Sequence, residues 1–386
     1  MPKYDFETII DRKHTNSWKW QVKDNELPMT TADMDFKVAP EILQAMRSKI
    51  DLAAFGYEYP TDEYFEAVSS WYKRVHHCDI SPKTMRFATG VIPALTATVN
   101  YFTQTGDNVV VMTPVYNIFY NSIENSGRHV LANELQYHDF QYSIDWPDLE
   151  KKLADPLTTM MIICNPHNPI GHIWSKNDLE RMLSLAKQNH VLVVSDEIHG
   201  DLALEGDYVP TFSLADQYTE NLIALVSTSK TFNLASLHAA TGIVKNPNLL
   251  AKFDRAINKY EVAEPNLLAI PATIAAYEKG DEWLKELKEV LRQNRSLLIN
   301  ELSKISPKLK VVDGQASYLA WIDISILEMS ATEFCQLLRE ETGLLVTPGS
   351  VYHGNGDKFI RMNLAYPPKQ FMDGVDRLIL GIKKRI

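Results

Sequence analysis

Lys230 stands at the end of a short and unusually ordered passage. Leu222–Val226 is wholly apolar and is followed at once by Ser227, Thr228, Ser229 and Lys230. A strand that stops in three hydroxyls and one amine presents hydrogen-bonding groups and a nucleophile at a single edge. A lysine so placed can capture a carbonyl group as an imine or move a proton. Other apolar runs end in the same manner. Asn108–Met112 leads into Thr113-Pro-Val-Tyr116, and Thr158–Cys164 into Asn165-Pro-His-Asn168-Pro-Ile-Gly171. Val191–Val194 reaches Asp196-Glu-Ile-His199 through Ser195. Ahead of them, Ala88-Thr-Gly90-Val91-Ile92-Pro93 enters a predicted helix, whose free backbone N–H groups suit a phosphate.

These groups meet only if the apolar runs are neighbouring parallel strands, because ligands bind outside the carboxyl ends of such a sheet. The pattern supports that arrangement. The runs, together with Gly242–Val244, alternate with helix-length amphipathic segments over 93–104, 116–126 and 176–189. Short Val- and Ile-rich runs separated by helices predict a mostly parallel sheet covered on both faces. Upstream, helices are predicted over 40–50 and 62–76, with Tyr57 and Tyr59 in a Gly/Pro-bounded loop between them. Residues 247–305 read as helical. Short strands (Lys310–Val312, Tyr318–Ile324, Phe359–Asn363) and helices (331–341, 368–385) then predict a smaller α+β unit. The expected division is an N-terminal segment 1–45, a large domain 46–280 and a small domain 281–386.

Singly, each motif has an ordinary reading. Lys230 could be a surface lysine, Asp196 a helix cap or half of an ion pair, and the Asn-Pro dipeptides plain turns. Together they form a specific inventory: a phosphate cradle, an aromatic (Tyr116), an amide (Asn168), a carboxylate, a hydroxyl cluster and a lysine. That set suits a flat, phosphorylated, aldehyde-bearing heterocycle.

Composition narrows the partners. The chain has 386 residues, 45% apolar and 23% charged, with a net charge of -10. Such acidity argues against nucleic acid or an anionic membrane surface. No apolar run approaches the roughly 18 residues of a membrane span, and MPKYDFETII lacks a signal-peptide pattern. Cys78, Cys164 and Cys335 have neither metal nor disulfide spacing, so no metal site is expected and the protein is read as cytoplasmic.

The ordered set VSTSKTFNLASL, ATGVIPAL, CNPHNPIG, SDEIHGDL and RMNLA resembles the fold-type I pyridoxal-phosphate enzymes of the class I/II aminotransferase superfamily. ADMDF, FGYEYP, DEIH and SKTFN narrow the resemblance to the cystathionine β-lyase (C-S lyase) branch, the MalY/PatB type. The resemblance implies that Lys230 tethers pyridoxal 5'-phosphate, Asp196 pairs with its ring nitrogen and Tyr116 stacks on the ring. Asn168 and His199 would face the ring hydroxyl, while Gly90, Val91, Ile92, Ser227 and Ser229 would hold the phosphate. Tyr57 would reach the phosphate of a second subunit in a homodimer with shared active sites. Arg361 would clamp the substrate carboxylate, and the backbone near Ala32 and Asp33 would close over it. The implied activity is β-elimination of an amino-acid thioether. An aminotransferase is the nearest alternative, and a MalY-like regulatory interaction protein a second. Thr30-Thr31, His172, Ser236 and His238 depart from the family's usual residues.

Overall fold

A computed structural model describes residues 3–386. Its centre is a seven-stranded sheet: β1 (Met85–Ala88), β2 (Asn108–Thr113), β3 (His129–Glu134), β4 (Thr158–Cys164), β5 (Leu192–Asp196), β6 (Leu222–Val226) and β7 (Ala240–Ile243). Their spatial order is β1-β7-β6-β5-β4-β2-β3. The run from β6 to β3 is parallel, whereas β7 is antiparallel to both of its neighbours.

Both faces of the sheet are buried, which is why its strands read as unbroken apolar runs. Successive residues point to opposite sides. Val110 and Met112 enter the core on one face, Val109 and Val111 the core on the other. Leu222, Ala224 and Val226 divide in the same way from Ile223 and Leu225. The covering helices are amphipathic. Lys176–Gln188 buries Leu179, Met182, Leu183 and Ala186, and Ser175 caps its start by accepting from the Asp178 N–H at 3.1 Å. Truncating one such leucine to alanine costs about 2–5 kcal/mol.

The reversal at β7 places the chemistry. A parallel return from β6 would need a crossover to the far edge. Instead residues 227–239 stay at the carboxyl edge as a helical turn (Thr228–Thr231) and a 3-10 turn (Ala235–Leu237), then re-enter the sheet directly. Lys230 is therefore held at that edge by its own short connection.

A second unit is built on an antiparallel sheet of Lys310–Val311, Leu319–Asp323, Phe359–Asn363 and Thr347–Pro348. The helix Asp281–Ile305 joins the two units. Its Trp283, Leu284 and Leu287 lie in the main core, and its Leu298 and Leu302 in the second. The N-terminal segment touches both: Phe6, Met34 and Phe36 enter the main core, while Leu27–Pro28 pairs with Leu344–Leu345.

Some element bounds differ from those predicted. The helix expected over 93–104 is Val91–Phe102, with Gly90 as its cap, so Pro93 falls in the first turn, where its missing N–H costs nothing. The helix expected over 116–126 shrinks to Ile118–Glu124, leaving Tyr116 in the preceding loop. The 247–305 stretch breaks into Pro247–Lys259, Ala269–Lys279 and Asp281–Ile305. The hairpin Gln136–His138/Gln141–Ser143 had no apolar run to announce it.

Candidate active site

The parallel register pairs Cys164 with Asp196 and Asp196 with Leu225, so the ends of β4, β5 and β6 lie side by side. Above them is a cavity of about 320 Å³. Gly90, Val91, Ile92, Tyr116, Asn168, Asp196, His199, Ser229, Lys230 and Ala32 all line it. A larger groove of about 680 Å³ beside Asp79, Asp216 and Lys245 contains none of them.

Gly90 has φ +129°, a conformation that L side chains rarely adopt, and an added Cβ would also meet the Pro93 ring at 3.2 Å. It opens the helix Val91–Phe102 with no side-chain cap on its first N–H groups. Opposite, Ser227 Oγ donates to the Ala239 carbonyl at 2.6 Å, lies 2.6 Å from Ser229 Oγ and accepts from the Ser229 N–H at 3.0 Å. Ser227 thus caps the turn that carries Lys230.

Asp196 is buried, and its only side-chain hydrogen bond among the described residues is from the Ile198 N–H at 3.1 Å. Burial without a cationic partner within salt-bridge distance pushes its carboxyl up to about 6. Burial likewise drives the Lys230 amine down to about 8, with Asp33 opposing and Arg361 reinforcing the fall. Lys230 Nζ donates to the Ala32 carbonyl at 2.7 Å. His199 is pushed down to about 3, mainly by burial and then by Lys230 and Arg361, so it is neutral, with Nδ1 3.2 Å from Ser317 Oγ. Burial lifts the Tyr116 hydroxyl to about 12.

Arg361 is buried and its guanidinium sits 5.0 Å over the Tyr352 ring. It donates to Asn168 Oδ1 at 3.2 Å and to the Thr30 carbonyl at 2.9 Å, while its Nε–H has no partner among the described residues. A buried guanidinium with an unused donor is prepared for an added carboxylate.

Of the residues singled out in the sequence, Ser227, Arg361 and Asp33 adjoin the lining residues Ser229, Asn168 and Ala32 without lining the cavity themselves, and Tyr57 lies elsewhere. Tyr57 is 99% exposed, outside the cavity, beside the exposed Phe55 and Tyr59. The Asp33 carboxylate is committed to Arg12 at 2.9 Å and Lys19 at 3.1 Å. Burial opposes its ionisation, but these two cations outweigh that and hold it below the usual carboxylate range. Among the departures, Thr30 grips Arg361 through its backbone, so its side-chain identity does not alter that contact. His172 is packed edge-on against Trp174, Ser236 is exposed, and His238 lines the cavity with φ +48°.

Several participants had gone unrecognised. Tyr318 Oη donates to the Ala32 carbonyl at 3.0 Å. Asn363 Nδ2 donates at 2.7 Å to the carbonyls of both Thr31 and Asp33. Asn363 lies two residues beyond Arg361 on one strand, hence on the same face, and that spacing was a usable signal. Beneath the lysine turn, Asp201 accepts from Thr231 Oγ1 at 3.0 Å and Trp71 Nε1 at 2.8 Å, with His76 Nε2 at 2.6 Å.

The family model for aminotransferase class I and II matches residues 24–378. The chain belongs to that family. It is 38% identical to cystathionine beta-lyase PatB of Bacillus subtilis over 97% of this chain and 98% of that protein. It is 31% identical to protein MalY of Escherichia coli, over 98% and 99% of the two chains. Among solved structures, cystalysin from Treponema denticola, which contains pyridoxal 5'-phosphate, superposes with a TM-score of 0.95 at 30% identity, covering 99% of each chain. The PLP-bound C-S lyase of Staphylococcus hominis gives 0.92 at 29% identity, over 99% and 100%. In this class I and II aminotransferase fold the cavity faces the carboxyl edge of the parallel strands, as the switch-point rule for open α/β sheets requires.

Proposed function

We propose that the protein is a pyridoxal 5'-phosphate-dependent carbon-sulfur β-lyase, converting cystathionine or a related cysteine thioether to a thiol, pyruvate and ammonia. The observation that carries this reading is the pairing of two buried groups in one cavity. One is the carboxylate of Asp196, which lacks a cation; the other is the amine of Lys230, drawn toward neutrality by burial. The cavity fits the cofactor at its other contacts too. The uncapped helix start at Gly90–Ile92, with Ser227 and Ser229, is a ready anion site, and Tyr116, Asn168 and His199 line the space for the ring. Relatives at 38% and 31% identity support the lyase rather than the aminotransferase reading, since the first bears the name cystathionine beta-lyase.

Pyridoxal phosphate supplies an electron sink conjugated to the substrate's Cα. The chain's residues do the rest. Asp196 would hold a protonated ring nitrogen, because a cation there offsets the cost of burying its charge. Arg361 takes the substrate α-carboxylate with its free donor, fixing which Cα bond faces Lys230. Lys230 would tether the cofactor and, as the free amine, would accept the Cα proton as general base. His199 and Asn168, both neutral, would offer hydrogen bonds to the ring hydroxyl. Loss of the thiolate from Cβ leaves an enamine whose hydrolysis gives pyruvate and ammonia.

We further propose a homodimer. Leu52, Phe55, Tyr57 and Tyr59 expose apolar or aromatic surface along one loop, and a second copy covering it would bring Tyr57 toward the neighbouring site. Among the described residues no helix is long and apolar enough to cross a membrane. The deciding experiment is to supply cystathionine to purified, cofactor-loaded protein. Pyruvate and free thiol in equal amounts are expected. Turnover that instead requires a 2-oxo acid would establish the aminotransferase alternative.

A further inference from the structure

The segment 30–36 crosses the cavity as a strap, and side chains grip its carbonyls one after another. Arg361 holds Thr30, Asn363 holds Thr31 and Asp33, and Asn233 holds Met34 and Phe36. Lys19 adds a second bond to Asp33 at 3.0 Å, and Arg12 one to Met34 at 3.2 Å. At Ala32 alone one of the donors is the lysine of the strand-end turn: its carbonyl receives the Lys230 amine, at 2.7 Å, and the Tyr318 hydroxyl, at 3.0 Å. A carbonyl has two lone pairs, and here each has one donor. Tyr318 is wholly buried, which raises its hydroxyl far above neutral pH and keeps it a donor.

We propose that the Ala32 carbonyl is the seat of the Lys230 amine whenever that amine is free of the cofactor, and that Tyr318 is the positioning residue that fixes this seat. The inference rests on the reading of Lys230 as tether and base. Lysine has a flexible four-carbon stem, so a released amine needs something to keep it near Cα between release and proton transfer. A carbonyl suits that task because it accepts a hydrogen from the neutral amine and leaves the nitrogen lone pair available. A carboxylate would hold the amine as ammonium and disable the base. Asp33, the carboxylate next along the chain, is kept from doing so by Arg12 and Lys19.

The test is Tyr318→Phe in the cofactor-loaded enzyme, which keeps the ring and removes the hydroxyl. The visible absorption of lysine-bound cofactor should be unchanged. kcat should fall about tenfold with KM within about twofold, the loss of one positioning hydrogen bond. The isotope effect with cystathionine deuterated at Cα should rise, because proton transfer becomes more nearly rate-limiting. Hydrogen–deuterium exchange should quicken over 30–36 alone. Wild-type kcat with an unchanged isotope effect would overturn the proposal. So would exchange quickened throughout the chain, which would mark a general packing role, or unchanged exchange at the strap. The exchange measurement needs no turnover and judges the seat independently. Absence of lysine-bound absorption in the unmodified protein would instead sink the functional reading.

Discussion

The two walls of the cavity are built in opposite ways. The floor, from Gly90 to Lys230, consists of residues that each follow their own strand or turn, and the grips at the ends of the Asp196 and Lys230 strands are local. Ser227 to Ser229 spans two residues, and Ile198 to Asp196 also two. The opposite wall, the strap 30–36, is held by Lys19 and Arg12 and, over its cavity side, by partners hundreds of residues away: Arg361 to Thr30 spans 331 positions and Tyr318 to Ala32 spans 286. The floor can form once the sheet forms. The strap depends on the second unit being docked, which makes it the wall that can respond to substrate.

Breaking the floor should have the largest effect. Lys230→Ala removes both tether and base and should lower kcat on the order of 10⁴-fold, with the visible absorption of bound cofactor lost. The fold should survive, because Ser227 and Asn233 still pin the turn. Comparable activity in this variant would mean that the floor does not carry the chemistry.

Breaking the substrate wall should cost less. Arg361→Ala is expected to reduce kcat/KM about 10²-fold, chiefly through KM, with cofactor absorption retained. Arg361→Lys should restore little, since an ammonium cannot reproduce the planar fork. A variant that lost cofactor as well would show that the two walls are not separable.

The pH dependence of cofactor binding sharpens the contrast, because it should be a property of the floor alone. Asp196 is held up at about 6. Above that value it is ionised and can balance a protonated ring nitrogen; below it the carboxyl is neutral and the pairing is lost. Affinity of the apoprotein for pyridoxal phosphate should therefore be full above about 6 and fall as pH drops, by up to about tenfold per unit. Asp196→Asn should abolish that inflection, whereas Arg361→Ala should leave it in place. Titration by absorbance at several pH values checks both.

The same division explains what could be read from the sequence. The strands, their carboxyl-end polar groups and Lys230 were legible because a strand and the loop that follows it are contiguous, and burial on both faces leaves a continuous apolar signature. Tyr318 was hidden inside a strand prediction, where an aromatic is expected for packing, and its hydroxyl contact to Ala32 has no local trace. The fate of the Asp33 carboxylate was hidden for a related reason. Its motif lies over the cavity, but Arg12 and Lys19, charged residues in an irregular segment with no periodic signal, turn its carboxylate away. Asp201 follows the DEIH motif by two residues, yet its partners Trp71 and His76 come from a helix far upstream.

Asp201 also supplies the smallest and most discriminating test, because it grips the lysine turn from outside both the floor and the strap. Its Oδ2 holds Thr231, the residue after Lys230, while its Oδ1 holds Trp71 and His76. Burial opposes the charge, but these donors, His76 first, keep the carboxyl below its usual range. Thr231→Val keeps the shape and removes one donor, leaving a buried carboxylate oxygen without its partner, at a cost of about 1–3 kcal/mol in stability. If the lysine turn does not depend on Asp201, Ser227 and Asn233 should hold it, and kcat should stay within about threefold of the parent while the denaturation midpoint falls. Thr231→Ser should recover most of the midpoint by returning the hydroxyl. A loss of kcat as large as that of Tyr318→Phe would show that the lysine turn, like the strap, takes its geometry from distant parts of the chain.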